Sequence, residues 1–244
     1  VRTLKLTVAY DGTAYCGWQR QINGTSVQQR LEEALTPLTG EPPTVNGAGR
    51  TDAGVHAAAQ VASVRVDIDH ACDTIRRAVN VHLPADIRVL HVEDAPATFH
   101  ARFNAIGKTY RYRMVTADVV HPFDRWFVWH VPGRFDVSAM RNALPGLVGT
   151  HDFAAFQAAR TTITDTVRTI RRAELSTTED GLTLDVEGDG FLRHQVRTMM
   201  GTLVDVGAGR RGAASLSDLL RTRDRSQAGD TAPARGLTLV RVHY

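Results

Sequence analysis

The sequence predicts an α+β protein of two halves that share one extended sheet, and three patterns in its 244 residues carry that expectation. Leu4, Leu6 and Val8 alternate with Lys5, Thr7 and Ala9, the period of a half-buried strand, and Leu182, Leu184 and Val186 alternate likewise with Thr183, Asp185 and Glu187. Between Ser26 and Thr36 the apolar residues Val27, Leu31, Ala34 and Leu35 fall on one helical face. The order strand, loop, helix, strand then recurs loosely in the second half with no low-complexity linker between the halves.

In chain order, the first strand ends at the Asp11-Gly12 turn. Ser26 and Gln29 have capping-box spacing at the start of the first helix, and Pro37 marks its expected end. Gln60 to Val66 reads as a strand and Asp73 to Val79 as a short helix stopped near Leu83-Pro84. The boundary falls near Ala105 to Gly107, giving an N-terminal half 1–105 and a C-terminal half 106–244. In the second half Tyr110 to Val115 and Arg125 to Val131 read as strands, and Val137, Met140 and Leu144 mark a helix that Pro145-Gly146 interrupts. Phe191 to Val206 reads as a helix ending near Gly207 and Gly209, and Leu237 to Val242 as a closing strand.

With 43% hydrophobic residues the chain can bury a substantial core. No stretch reaches the roughly 20 apolar residues of a membrane span. The first residues run straight into strand alternation, so the expected location is the cytoplasm. Cys16 and Cys72 lie far apart and suggest neither a disulfide framework nor a zinc site. The net charge is only +3, but the cations cluster. Arg102, Lys108, Arg111 and Arg113 stand against no acid between Phe99 and Arg113, and Arg193, Arg197, Arg210 and Arg211 stand against Asp205 alone. Such patches suit a polyanion, although a solvated basic face has the same composition.

The chemistry centres on Gly49-Arg50-Thr51-Asp52-Ala53-Gly54-Val55-His56, an acid between an arginine and a tight turn, flanked by Gly47, Gly49 and Gly54, which allow conformations that other residues resist and let a substrate approach closely. By turn chemistry alone, an Asp before Ala-Gly is more commonly a turn former or helix N-cap than a nucleophile. Further motifs are Tyr10-Asp11-Gly12 through Gly17-Trp18-Gln19-Arg20, Phe99-His100-Ala101-Arg102-Phe103, Tyr110-Arg111-Tyr112 and Phe191-Leu192-Arg193-His194-Gln195-Val196-Arg197. Together, and in this order, they closely resemble the tRNA pseudouridine synthase A (TruA) family over nearly the whole chain.

That resemblance implies two ferredoxin-like halves sharing an extended, mostly antiparallel sheet, with helices on one side and the active cleft between the halves. It implies isomerisation of uridine to pseudouridine on the 3′ side of the tRNA anticodon stem-loop, by a homodimer that grips one tRNA. Asp52 becomes the nucleophile and Arg197 the cation that pairs with it. Tyr110 becomes the ring that stacks on the target uracil, with its hydroxyl near the departing C5 proton. Arg50 fills the gap left by a flipped-out uridine, and Leu237 walls the uracil. Pro145-Gly146 departs from the family, whose helix usually continues there.

Each residue also has a plainer reading. Arg197 sits four residues from Arg193, a spacing that would place both on one basic helix face against phosphate. Tyr110 and Tyr112 share a strand face and could both be core, the place assigned to Tyr112. Leu237 alone would be a core leucine, and Arg50 a partner for an acid or carbonyl. Arg102, Lys108, Arg111, Arg193, His194, Arg210 and Arg211 form the expected RNA track. His56 has no assigned proton-transfer role.

Pseudouridine formation breaks N1–C1′ and forms C5–C1′ with no change in atoms or redox state. A carboxylate suffices, by attack at C1′, attack at C6 or elimination at the sugar. No metal-ligand or nucleotide-binding motif is present in the sequence, so no cofactor is expected. A catalytically silent RNA-binding protein would explain the basic and aromatic segments but not the acid-tyrosine-arginine trio. A glycosidase would require a second carboxylate, and no convincing one lies near the loop.

Overall fold

The computed structural model describes residues 1–159 and 161–244, which divide into two compact units. The first comprises Val1–Ile106 with Thr238–Tyr244, and the second Gly107–Leu237.

The first unit runs β1 (Arg2–Tyr10), α1 (Val27–Thr39), β2 (Val45–Gly47), β3 (His56–Val66), α2 (Cys72–His82) and β4 (Ile87–Ala95). β1 pairs antiparallel with both β3 and β4, and β2 pairs antiparallel with β3. The resulting order β4-β1-β3-β2 is that of a ferredoxin-like βαββαβ unit. Alternation along β1 sends Leu4, Leu6 and Val8 into a core shared with Val27, Leu31 and Leu35 of α1 and Ile75 and Val79 of α2, all fully buried. Thr3, Lys5 and Thr7 point to the opposite face.

Helix α1 begins as its capping residues dictate. The Ser26 hydroxyl accepts from the Gln29 N–H at 3.2 Å, a cap worth about 1 kcal/mol. The reciprocal half of the box is not made, because the Gln29 amide donates to Glu33 instead. The expected stop at Pro37 is corrected: Pro37 lies within the helix, which ends at Gly40 with φ 82°. β3 and α2 are both longer than their strongest sequence signals, and β4 follows Pro84-Ala85-Asp86 without a distinctive pattern of its own.

The second unit contains β5 (Gly107–Val115), β6 (Trp129–His130), α3 (Val137–Ala143), β7 (Gly149–Asp152), β8 (Val167–Thr177), β9 (Gly181–Gly188), α4 (Gln195–Gly207) and α5 (Ser215–Thr222). Its antiparallel order is β5-β9-β8-β7, and β6 adds two residues in parallel to β5. As expected, α3 breaks at Pro145-Gly146, passing into a 3-10 turn over Leu144–Leu147. The strand expected from Arg125 to Val131 shrinks to β6, because His121 to Phe127 is taken up by successive turns closed by Asp124 N–H to His121 O and Phe127 N–H to Asp124 O. The chain closes with β10 (Leu237–His243), whose Thr238 and Leu239 pair in parallel with His56 and Ala57 of β3. Among the described residues no helix is long and apolar enough to cross a membrane.

Candidate active-site elements

The Asp52 loop is built from its neighbours upward. The first two N–H groups of α1 have no intrahelical acceptor, and Val27 and Gln28 give theirs to the carbonyls of Gly17 and Trp18 at 3.2 and 3.0 Å. Trp18 in turn donates its N–H to the Thr51 carbonyl at 3.1 Å. Gly17 is required here. Its φ is 102°, and a Cβ would sit 2.5 Å from the Thr51 oxygen. The buried Glu32 carboxylate secures the same region by accepting from Arg20, the Gln28 amide and the Val45 N–H.

From the strand side, the Tyr10 hydroxyl bonds Thr51 Oγ1 at 2.8 Å, and the Gln60 amide donates to the Gly49 carbonyl at 2.9 Å. Burial pushes the Tyr10 phenol up to about 12, while hydrogen bonds from Thr51 and Gln60 oppose the rise. Asp52 to Val55 forms a turn closed by Val55 N–H to Asp52 O at 3.1 Å, with Gly54 at φ 77° in its third position. That is the type II arrangement, in which glycine relieves the strain of positive φ. His56 Nδ1 lies 3.0 Å from the Gly12 N–H, tying the Tyr10-Asp11-Gly12 turn to the start of β3. Asp52 itself is half-buried and Arg50 exposed.

The glycines flanking Asp52 therefore have different purposes. Gly54 supplies conformation, whereas Gly47 makes room for the Trp18 indole, which a Cβ would approach to 2.4 Å. The expectation that Gly47 admits substrate is corrected: protein fills that space. Gly49 is not among the positive-φ glycines.

In the second unit, Tyr110 and Tyr112 occupy one face of β5, and Arg111 and Arg113 the other. Tyr112 is fully buried, donates its hydroxyl to the Pro233 carbonyl at 2.7 Å and packs beneath Gly236, whose absent Cβ would lie 2.6 Å from the ring. Its assignment to the core holds, and burial raises its phenol well above the ordinary value. Tyr110, 6% exposed, meets the Phe191 ring edge-on with centroids 5.1 Å apart. Leu237 follows the segment anchored on Tyr112 and is equally covered.

Helix α4 starts at Gln195, later than expected, because His194 takes the left-handed conformation with φ 67°. Arg193 thus lies outside the helix, and the reading that places Arg193 and Arg197 on one helix face is corrected. Arg197 sits in the first turn of α4, and its Nε donates to the Ala232 carbonyl at 2.7 Å. The Ala232 N–H returns a bond to the Arg197 carbonyl at 3.2 Å. The segment around Asp230 can approach α4 this closely because Gly201 has no side chain, where a Cβ would overlap the Asp230 oxygen.

The expected RNA track proves uneven. Arg111 forms a two-pronged pair with Asp185 at 2.8 and 2.9 Å, and Arg210 and Arg211 both pair with Asp205. Arg102 is exposed, with its guanidinium 5.6 Å from the centre of the Phe103 ring. Lys108 is half-buried, Arg193 exposed and His194 half-buried. Asp185 is absent from the local charge count because it reaches Arg111 only through the β5–β9 register.

Residues 6–104 and 143–244 match the sequence family described as tRNA pseudouridine synthase. The chain belongs to that family. A tRNA pseudouridine synthase A from a Geobacter species is 45% identical over 245 residues, covering 100% of this chain and 99% of its own length. Proteins of the same name from Citrifermentans bemidjiense and Pelobacter propionicus are 44% and 45% identical, each over 100% of this chain and over 98% and 100% of their own lengths. Pseudouridine synthases are isomerases, and the reaction of this family is the isomerisation of uridine in tRNA. The sequence reading missed the residues that position the Asp52 loop: Tyr10, Gly17, Trp18 and Gln60. Tyr10, Gly17 and Trp18 lie in the quoted motifs, but only the folded chain shows that those motifs surround Thr51 and Asp52.

Proposed function

We propose that the synthase isomerises uridine on the 3′ side of the tRNA anticodon stem-loop, with Asp52 as its nucleophile. The observation that carries this reading is the fixation of Thr51 by Tyr10 and Trp18, which holds a half-buried carboxylate on a loop that need not reorder during the reaction. The Asp52 carboxylate serves attack at C1′, attack at C6 or elimination at the sugar, and in every route the C5 proton leaves after C5 joins C1′. Tyr110 stacks on the uracil and takes part in removal of that proton. Arg197 supplies the cation of the catalytic set, and Leu237 forms the apolar wall against the base.

A uridine inside a paired stem must leave the stack before C1′ is accessible, and Arg50 occupies the vacated position. Its exposure on the Asp52 loop supports that part. The synthase works in the cytoplasm as a homodimer gripping one tRNA, a stoichiometry drawn from the family resemblance. The reaction requires no cofactor because atoms and electrons balance within the nucleotide. Incubation of the purified chain with an unmodified anticodon-arm transcript, without metal or nucleotide, followed by carbodiimide mapping of pseudouridine, tests the reading. Product confined to the 3′ side of the arm supports it, and product elsewhere or none contradicts it.

A further inference from the structure

The face of the first unit's sheet turned away from α1 and α2 carries a cavity of about 300 Å³ whose lining includes Thr3, Asn46, Ser63, Arg65, Phe99 and His100. The strand register places these groups together: Thr3 lies opposite Arg65, and Asn46 opposite Ser63. Three features distinguish the cavity from an ordinary polar sheet surface. The Thr3 hydroxyl is buried, with the residue 3% exposed, yet has no hydrogen-bond partner among the described residues. Arg65 is exposed, and its guanidinium makes no ion pair or hydrogen bond among the described residues. The Phe99 wall is fixed in advance by the Tyr244 ring 5.3 Å away and by Lys5, whose ammonium lies over both rings.

We propose that this cavity binds a backbone phosphate of the tRNA together with its ribose, well away from the reacting uridine. Arg65 and the Asn46 amide supply charge and N–H donors for phosphate oxygens. Ser63 already accepts the Ala101 N–H at 3.1 Å, which leaves its own hydrogen to donate. The Thr3 hydroxyl gains the partner that it otherwise lacks, and Phe99 packs against the sugar. The site lies far from the chemistry. Thr3 and Tyr10 are separated by seven steps of β1, about 23 Å at ~3.3 Å per residue, and Tyr10 is the residue that holds Thr51.

The proposal rests on tRNA being the substrate. Its test reads binding alone, so its failure is distinguishable from failure of the Asp52 assignment. Filter binding of unmodified tRNA over a range of salt concentrations is compared for the wild type, Arg65→Ala, Arg65→Lys and Thr3→Val. Arg65→Ala is expected to weaken binding about five-fold at low salt and to reduce the slope of log K against log salt by about 0.7 to 0.9, with Arg65→Lys restoring the slope. Thr3→Val removes a buried, unpaired hydroxyl at nearly constant volume, so it should raise the melting temperature while weakening tRNA binding two- to three-fold. A purely structural threonine would not produce that opposition. Wild-type affinity and slope in Arg65→Ala overturn the proposal. So does saturable binding of inorganic phosphate at this cavity with tRNA affinity unchanged in Arg65→Ala, since the site would then serve free phosphate.

Discussion

The Tyr10 hydroxyl stands 2.8 Å from Thr51 Oγ1, one residue before Asp52, the carboxylate proposed as the nucleophile. The bond joins the end of β1 to the Asp52 loop through two side chains that are nearly inaccessible to water. Tyr10→Phe keeps the ring against Trp18 and removes the hydroxyl's bonds to Thr51 and Gln60. Turnover should fall about ten- to a hundred-fold through loss of orientation, with tRNA affinity held within about two-fold. Single-turnover rates and filter binding separate the two effects.

The same phenol makes an alkaline prediction. Its folded value of about 12 lies above the ordinary 10, so folding favours the protonated form. That contribution is fully present below about pH 10 and is lost as pH rises through about 12. Urea midpoints measured across this window should decline more steeply in the wild type than in Tyr10→Phe. The difference isolates Tyr10 from the other buried tyrosines.

Gly17 offers a steric check on the loop's foundation. Its positive φ and the Thr51 oxygen 2.5 Å from a hypothetical Cβ leave no room for a side chain. Gly17→Ala should cost about 2 to 4 kcal/mol of stability and displace the Asp52 loop. Gly40→Ala, where no atom lies within 4 Å, should produce only the smaller cost of its positive φ. Chemical denaturation of the two variants gives the comparison.

These positions show how the sequence encodes the site. Alternation at Leu4, Leu6 and Val8, the Ser26 cap and the break at Pro145-Gly146 were legible because each is set by local sequence. The purpose of Gly17 and Gly47 was not legible, since Thr51 and Trp18 become their neighbours only after β3 and α1 pack on β1. The late start of α4 escaped for another reason: periodicity continues through Arg193, but the positive φ of His194 breaks the helix. Charge runs misled most clearly at Arg111, whose neutralising Asp185 is 74 residues away in sequence.

That pairing makes the basic track uneven. Arg102→Ala should lower the log K against log salt slope for tRNA by about 0.7 to 0.9. Arg111→Ala should lower it by less than half as much, because Asp185 already offsets that charge. Equal changes would mean that Arg111 leaves Asp185 to bind phosphate.

Tyr110→Phe retains the ring that faces Phe191 and deletes the hydroxyl. Stacking on a base is worth about 1 to 3 kcal/mol and should survive, so tRNA binding should remain near normal while product formation falls severely. A wild-type rate would reduce Tyr110 to a stacking platform.

The central claim is that Asp52 performs the chemistry while other residues hold the RNA, and Asp52→Asn measures it most directly. Mass spectrometry first establishes that the asparagine has not deamidated, and the variant is then incubated with unmodified tRNA and mapped for pseudouridine. No product, with tRNA affinity within a few fold of the wild type, is the predicted result. Substantial pseudouridine formation by the verified Asp52→Asn protein would contradict the assignment of Asp52 as nucleophile.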